Sequence, residues 1–205
     1  MPPFKSFITS ALFGSMVAGC GGNPFDFTDD APFGPISDDQ VASLSASYDT
    51  LSASILDLSP TAVGGLDTAG DATFSGMASL TVSPEAGSDS MTLIGDAVLI
   101  ADFDTRAITA NMINFAGTDM NGMGQRLDGS LSMDAGTIGL SDPNGFAGAF
   151  QGTLVAEDFE IVADGVMEGT FRSTPATALS FTGLDDTAQL NGERASLSLT
   201  GIAQE

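Results

Sequence analysis

The most regular pattern in the chain is an alternation of apolar and polar residues that begins near residue 72. Phe74, Gly76, Ala78, Leu80 and Val82 are separated by Ser, Thr and one Met. A period of two residues indicates a strand with one buried face. Similar segments follow, and together they predict about eight strands, at 72–82, 93–103, 106–115, 126–134, 146–155, 159–171, 177–184 and 193–203. Turn sequences are found at Asn121-Gly122, Pro143-Asn144-Gly145, Asp164-Gly165 and Asn191-Gly192.

A short repeated unit favours a barrel over an open sandwich. A Phe is followed two residues later by a Gly at five places: Phe74-Gly76, Phe115-Gly117, Phe146-Gly148, Phe150-Gly152 and Phe181-Gly183. Residues i and i+2 of a strand share a face, and Gly within a strand indicates a bend or a close approach of backbones. Strongly curved sheets need such positions. We therefore expect an all-β fold, a small antiparallel eight-stranded β-barrel over residues 67–205, filled by side chains or holding one small ligand.

A different period, typical of a helix, precedes the strands. Apolar residues fall three and four positions apart at Val41, Leu44, Tyr48, Leu51, Ile55 and Leu58. Ser37 and Gln40 fit a capping box, and Pro60 ends the pattern. The spacing predicts one amphipathic helix at 37–59. It packs across the barrel or its open end, or it serves as a partner-binding or coiled-coil helix; the stripe is short for a coiled coil.

The N-terminus has the features of a secretory signal with a lipid attachment site. Lys5 precedes an apolar run of about a dozen residues, shorter than a membrane-spanning helix. Residues 17–20 (VAGC) resemble the lipobox of bacterial lipoproteins, which predicts a signal peptide at 1–19 and lipidation of Cys20. Two acyl chains would anchor the protein stably. Gly21 is not the Asp that retains many lipoproteins at the inner membrane, so this resemblance implies the outer membrane of a Gram-negative cell.

Residues 20–36 are rich in Gly, Pro and Asp and predict a flexible tether between the lipid and the folded domain. The strands that follow carry Ser and Thr on their polar faces, and the chain contains no Trp and one Tyr. A transmembrane barrel needs lipid-facing apolar residues and aromatic girdles. The pattern therefore favours a soluble barrel held at the membrane only by its lipid.

Charge excludes several classes of function. The chain has 27 acids, five bases and no His, for a net charge of −22. So few cations cannot neutralise a phosphate backbone, which argues against nucleic-acid partners. Without His there is no Ser-His-Asp or Cys-His catalysis and no imidazole metal site, and a single Cys cannot form an internal disulfide. We expect no enzyme activity, no cofactor, and no catalytic or metal-binding residues.

Weak candidates for chemistry remain, and each has a structural alternative. Asp102-x-Asp104, Asp142-x-Asn144 and Asp185-Asp186 offer oxygen ligands to Ca²⁺, but the same residues are common in turns. Asp67-Thr68-Ala69 resembles half of an aspartic-protease motif, without the second copy that such a site needs. Met120 and Met123, in the segment 114–125, could form an adaptable binding surface or soft copper ligands; filling of core gaps is the alternative.

Several motifs resemble the barrel domain related to transferrin-binding protein B. They are residues 67–76 (DTAGDATFSG), 99–103 (LIADF), 146–152 (FAGAFQG) and 169–176 (GTFRSTPA) followed by Gly183. Arg172 and Ser173 depart from the family pattern, which has an aromatic residue and a Gly there. The resemblance, together with the lipobox, implies an eight-stranded barrel lipoprotein that captures a ligand or protein at the cell envelope. No ligand-contact residue matches well enough to be carried over.

Two functions therefore stay open. The first is a lipid-anchored envelope lipoprotein whose barrel captures a protein or a small molecule without catalysis. The second is a structural or interaction lipoprotein of the outer membrane with no small ligand. An enclosed apolar cavity would favour a small ligand, whereas a filled interior with exposed apolar loops would favour a protein partner.

Overall fold

The structure is a computed structural model that describes residues 34–62, 64–66, 68–84, 89–140 and 142–205, apart from the side chains of residues 184–186. The predicted signal peptide (1–19), Cys20 and most of the predicted tether lie outside the described residues. Among the described residues, no helix combines the length and hydropathy needed to cross a membrane.

The described chain forms a closed eight-stranded antiparallel β-barrel with one helix. The elements are β1 (Gly34–Pro35), α1 (Asp38–Leu56), β2 (Asp71–Pro84), β3 (Met91–Asp102), β4 (Ala107–Thr118), β5 (Gly124–Arg126), β6 (Asp128–Ile138), β7 (Gly145–Val155), β8 (Glu160–Arg172), β9 (Ala178–Leu190) and β10 (Glu193–Gln204). Each long strand pairs with its neighbours in the chain, and β10 pairs with β2 to close the barrel. The short strand β5 leads into β6, since both pair with β4. The predicted fold class is confirmed.

Two local predictions need correction. Asp164 and Gly165 do not form a turn: they lie within β8, opposite Gln151 and Phe150 of β7, and the register with β9 shifts beside them. Pairing on both sides outweighs the turn preference of the dipeptide. The end of the predicted tether is not free either, because Gly34–Pro35 pairs with β5 and the Ile36 amide donates to the Gly124 carbonyl over 3.0 Å.

The barrel has two ends that differ in what covers them. We call the end at loops 119–123 and 156–159 the proximal end, because the chain enters it through β1. The distal end carries loops 103–106, 139–144 and 173–177. The segment after α1 reaches this end: Pro60 forms a bridge with Arg172, the Thr61 amide donates to the Phe171 carbonyl over 2.9 Å, and Leu66 is buried in the barrel core.

The helix lies on the outside of the barrel wall. Its N-terminus has the predicted capping box, in which the Gln40 amide donates to Ser37 Oγ and the Ser37 amide donates to Gln40 Oε1. Leu44 and Ile55, from the predicted stripe, are buried. They pack against a patch of outward-facing residues, which we call the helix patch: Met77, Ile94, Ala116, Ala178 and Ile202. Burial of Leu44 and of Ile55 contributes roughly 1.5–3 kcal/mol each to the stability of the fold.

Candidate functional site

The interior of the barrel is filled by side chains. Phe74, Phe115, Phe150 and Phe171 have at most 1% of their surface exposed, and they belong to one core cluster that runs through the barrel. Phe171 is at the centre of an aromatic group, with its ring centroid 5.7 Å from Phe74 and Phe146 and 5.9 Å from Phe103. A ligand must therefore bind on the outside of the packed barrel or displace core side chains.

Glycines make this packing possible in two ways. A Cβ on Gly76, Gly117 or Gly152 would lie 2.0 Å from a carbonyl oxygen of the neighbouring strand, so these three of the five Phe-x-Gly glycines are places of close backbone approach, as predicted. Other glycines receive rings. Phe146 is paired with Gly169, Gly169 with Phe181, and Phe181 with Gly201, so that rings and glycines alternate across β7–β10.

An outer depression beside the helix forms a groove of about 370 Å³. We call it the helix groove: Tyr48, Ser52 and Leu56 of α1 form one side, and the other side comes from β8–β10 and the start of β7. The Tyr48 and Thr200 hydroxyls are 3.0 Å apart and fix the helix over the wall. Volumes of this order are typical of ligand pockets and of sites that accept a partner side chain.

The helix groove combines apolar and acidic character. Leu56 is 50% exposed at its rim, and Asp142 and Glu168 line it. Arg172 lies at the distal end, where it holds the end of α1: Nη1 donates to the Leu58 carbonyl over 2.9 Å and to the Leu56 carbonyl over 3.3 Å, and Nε donates to Ser180 Oγ. An acidic groove with apolar sides suits a basic, amphipathic surface.

The carboxylates proposed as calcium ligands serve turns instead. Asp102 Oδ1 accepts from the Thr105 amide over 2.9 Å, Asp104 Oδ2 from the Gly70 amide over 3.2 Å, and Asp142 Oδ1 from the Asn144 amide over 3.0 Å. In the described part of the chain, no three His, Cys, Asp or Glu side chains come together as a metal cluster. The Asp185 and Asp186 side chains, and Asp67 of the protease-like motif, lie outside the described residues.

The two methionines of the segment 114–125 lie in different environments. Met120 packs against the barrel core, whereas Met123 is 59% exposed at the proximal end. Met112 and Met133 are fully buried. Gap filling therefore accounts for Met112, Met120 and Met133, and Met123 is the one of these four methionines with a largely exposed side chain.

Two carboxyl groups have perturbed acidity for opposite reasons. Partial burial on the outer wall raises the pKa of Asp96, and the hydrogen bond from Asn114 Nδ2, 2.8 Å long, opposes this. The side-chain and backbone hydrogen bonds from Thr105 lower the pKa of the partly exposed Asp102. Neither carboxyl lines the helix groove.

Of the candidate residues predicted from the sequence and described by the structure, Asp142 lines the helix groove. Tyr48 was predicted as a member of the apolar stripe, with no sign that its hydroxyl would bond to a strand. Arg172 was noticeable only as a departure from the family pattern. Its role depends on the carbonyls of Leu56 and Leu58, more than a hundred residues earlier in the chain. A contact between such distant parts of a sequence has no local signature.

Comparisons with known proteins give a distant likeness in fold. No family model and no curated protein matches the chain. Solved structures of transferrin-binding protein B do match. A double mutant of this vaccine antigen from Haemophilus parasuis Hp5 has 16% sequence identity and a TM-score of 0.45, over 71% of this chain and 27% of that chain. The intact Ap-TbpB, with its N and C lobes, has 15% identity and a TM-score of 0.45, over 71% and 28%.

The chain thus spans little more than a quarter of the length of these proteins. They belong to the family that the motifs in residues 67–203 resemble. At this level of identity the likeness concerns the barrel fold alone, and no residue role passes from those proteins to this chain.

Proposed function

We propose that this chain is a lipid-anchored envelope lipoprotein of a Gram-negative outer membrane, whose barrel is a non-enzymatic module that binds a protein on its outer surface. The observation that supports the binding role best is the filled interior, which leaves the outer wall and the loops as the surfaces for recognition. The helix groove is a concave part of this outer surface, and it combines apolar and acidic side chains.

The charge of the chain indicates what kind of partner fits. The net charge of −22 repels an acidic protein, and it attracts a basic one over distances of about a Debye length. The same charge gives no attraction to an anionic membrane surface, so in this proposal the acyl chains on Cys20 hold the protein there. The partner's contact surface is therefore basic, with apolar residues that meet Leu56 and the sides of the groove.

The two ends of the barrel suit this role. The described chain begins at the proximal end with β1, whereas Leu56 and Asp142 place the groove toward the distal end. An anchor attached at one end leaves the other end accessible to a partner. α1 runs between the two ends and supplies one side of the groove.

Replacement of Cys20 tests the anchor. In cells that make the chain, Cys20→Ser should abolish the acyl mass, leave the signal peptide in place and remove the protein from the outer-membrane fraction. The matched variant Ser15→Ala, in the same leader, should be lipidated and localised normally. Membrane fractionation and mass that are unchanged in Cys20→Ser would contradict the lipoprotein assignment.

Cross-linking from the helix groove tests the binding role. A photoreactive p-benzoyl-L-phenylalanine replaces Thr182, which is exposed in the groove, or Thr109, which is exposed on β4, four strands away from β9 in either direction around the barrel. In irradiated cells we expect a discrete adduct with a basic protein from position 182 and none from position 109. Equal adducts from both positions, or none from either, would contradict a partner site in the groove.

A further inference from the structure

The floor of the helix groove carries a row of hydrogen-bond acceptors, which we call the acceptor row. Glu168 of β8 lies directly opposite Thr182 of β9, and Thr182 lies opposite Thr200 of β10. Residues paired in this way share one face of the sheet, and all three side chains are exposed on the outer wall beside α1. Since neighbouring strands are about 4.8 Å apart, the row presents a carboxylate and two hydroxyls across about 10 Å of the wall.

Each member of the acceptor row is available to a ligand that brings N–H groups. The Thr182 hydroxyl donates its proton to the Leu199 carbonyl over 3.2 Å, so its oxygen is left as an acceptor. The Thr200 and Tyr48 hydroxyls share one hydrogen bond, which leaves lone pairs on both oxygens. In the part of the chain that the structure describes, no hydrogen bond or ion pair engages the Glu168 carboxylate. The row is therefore complementary to a group with several donors.

The charge of the groove favours a cation. Among the residues that line it, Asp142 and Glu168 are acidic and none is basic. Arg172 lies four residues along β8 from Glu168, about 13 Å away. The Arg172 guanidinium is committed to the Leu58 carbonyl and to Ser180 Oγ at the distal end. A positive group is therefore attracted to the Glu168 end of the groove, in a chain of net charge −22.

We propose that the protein partner inserts an arginine side chain into the helix groove, with a neighbouring apolar residue on Leu56. This arginine subsite rests on the proposed function, since it names the group by which the groove recognises its partner. A guanidinium has five N–H donors in one plane, so it can donate to the Glu168 carboxylate and the Thr182 hydroxyl together. A lysine ammonium is more strongly hydrated and loses more when it leaves water for the groove. The apolar contact is with Leu56, whose side chain is 50% exposed at the rim.

NMR titration of the isotope-labelled Cys20→Ser chain tests this chemistry with matched peptides. They are acetyl-Leu-Arg-Leu-amide, acetyl-Leu-citrulline-Leu-amide and acetyl-Leu-Lys-Leu-amide, and citrulline has the shape of arginine with a neutral urea in place of the guanidinium. We expect the arginine peptide to shift the amide signals of Glu168, Thr182 and Thr200 and to bind roughly threefold to tenfold more tightly than the other two. No binding of the arginine peptide, or an affinity equal to that of either other peptide, would overturn the proposal.

Variants assign the binding to Glu168. Glu168→Gln removes the charge and keeps the size of the side chain, so the arginine peptide should bind roughly threefold to tenfold more weakly and the citrulline peptide as before. Glu160→Gln is the matched control, because it removes the same charge from an exposed position at the start of β8, and it should bind as the parent does. A Glu168→Gln chain that has the melting temperature of the parent and binds the arginine peptide equally well would contradict the subsite.

Cross-linking separates the arginine subsite from the binding role of the groove. A photoreactive p-benzoyl-L-phenylalanine at Ser52 of α1 lies across the groove and leaves the acceptor row unchanged. In irradiated cells we expect the yield of the partner adduct to fall with Glu168→Gln and to hold with Glu160→Gln. An equal yield in the two variants would overturn the arginine subsite and leave the partner site in place. The absence of any adduct from positions 52 and 182 in the parent would contradict the proposed function, and the subsite with it.

Discussion

Single glycines decide where the large rings of the interior can lie. Phe181 is an example, because its ring occupies the space that a side chain on Gly201 would need: a Cβ there would be 2.0 Å from Phe181 Cζ. The ring of Phe146 has the same relation to Gly169, at 2.2 Å. These glycines are a packing requirement of a small barrel rather than a source of flexibility.

Addition of one methyl group at such a glycine should therefore be costly. We expect Gly201→Ala to lower the free energy of unfolding by about 1–3 kcal/mol, as overpacking of a core does. Ser198→Ala, on the exposed face of the same strand, should change it by less than about 0.5 kcal/mol. Urea denaturation measures both. Because the clash is with Phe181, the double variant Gly201→Ala/Phe181→Leu should lose less than the sum of its single variants; strict additivity would contradict the contact.

Asp96 and Asp102 should respond to pH with opposite signs. The raised pKa of Asp96 means that its ionised form is disfavoured in the folded protein. The contribution of Asp96 to the free energy of unfolding therefore falls as the pH rises from 3.8, its pKa in the unfolded chain, through the raised pKa of the folded state. Asp96→Asn should therefore have a higher melting temperature than the parent near neutral pH, and the difference should shrink at about pH 3.

The lowered pKa of Asp102 has the opposite effect. Asp102→Asn should have a lower melting temperature than the parent near neutral pH, and the difference should fade as the pH drops through the lowered pKa. Melting curves across this pH range that shift in the same direction for both variants would contradict the assignment.

At the scale of elements, α1 is formed locally but is positioned by the barrel. The capping box at Ser37 and Gln40 and the apolar stripe are readable in the sequence, and both are found in the structure. The helix ends at Leu56, before Pro60, and its last turn contains no basic residue. Arg172 of β8 supplies the missing cation, donating to carbonyls at the end of the helix, where positive charge is favourable.

Loss of Arg172 should loosen the end of the helix without opening the barrel. We expect Arg172→Met to reduce stability by about 1–3 kcal/mol, the usual cost of losing hydrogen bonds from a charged group. Hydrogen–deuterium exchange should increase in residues 50–58 and stay unchanged in β3 and β6. Arg194→Met, with the same loss of charge on β10, should leave exchange in α1 as it is in the parent. Faster exchange throughout the strands would show that Arg172 supports the barrel itself.

At the scale of the whole molecule, much of the fold could be predicted from the period of apolar and polar residues along the chain and from the turn residues. The alternation from Phe74 to Val82 and its later counterparts gave the long strands, and the repeated Phe-x-Gly unit pointed to a closed, curved sheet. These patterns are local, because each strand has one face in the core. The failed turn at Asp164-Gly165 shows the limit: pairing with β7 and β9 decided the outcome there.

The candidate sites were far less predictable, for a physical reason. The helix groove exists because Tyr48 and Leu56 lie beside β8–β10, more than a hundred residues later in the chain. A second depression, at the distal end, joins Leu66, Arg106 and Asn144, which belong to three separate connections. Only the closure of the barrel brings such residues together. The lipid attachment at Cys20, in contrast, is predicted from a local sequence and stays a prediction.

The central claim is that the barrel is filled and that binding takes place on its outer surface. Cysteine accessibility tests it directly, since the Cys20→Ser chain contains no other thiol. Ala163→Cys places a thiol in the interior of β8, where Ala163 is 1% exposed, and Thr182→Cys places one in the helix groove. We expect maleimide to label position 182 at once and position 163 roughly a thousandfold more slowly, at the rate set by opening of the fold. Equally fast labelling of position 163 in a natively melting protein would show an open interior and contradict the account.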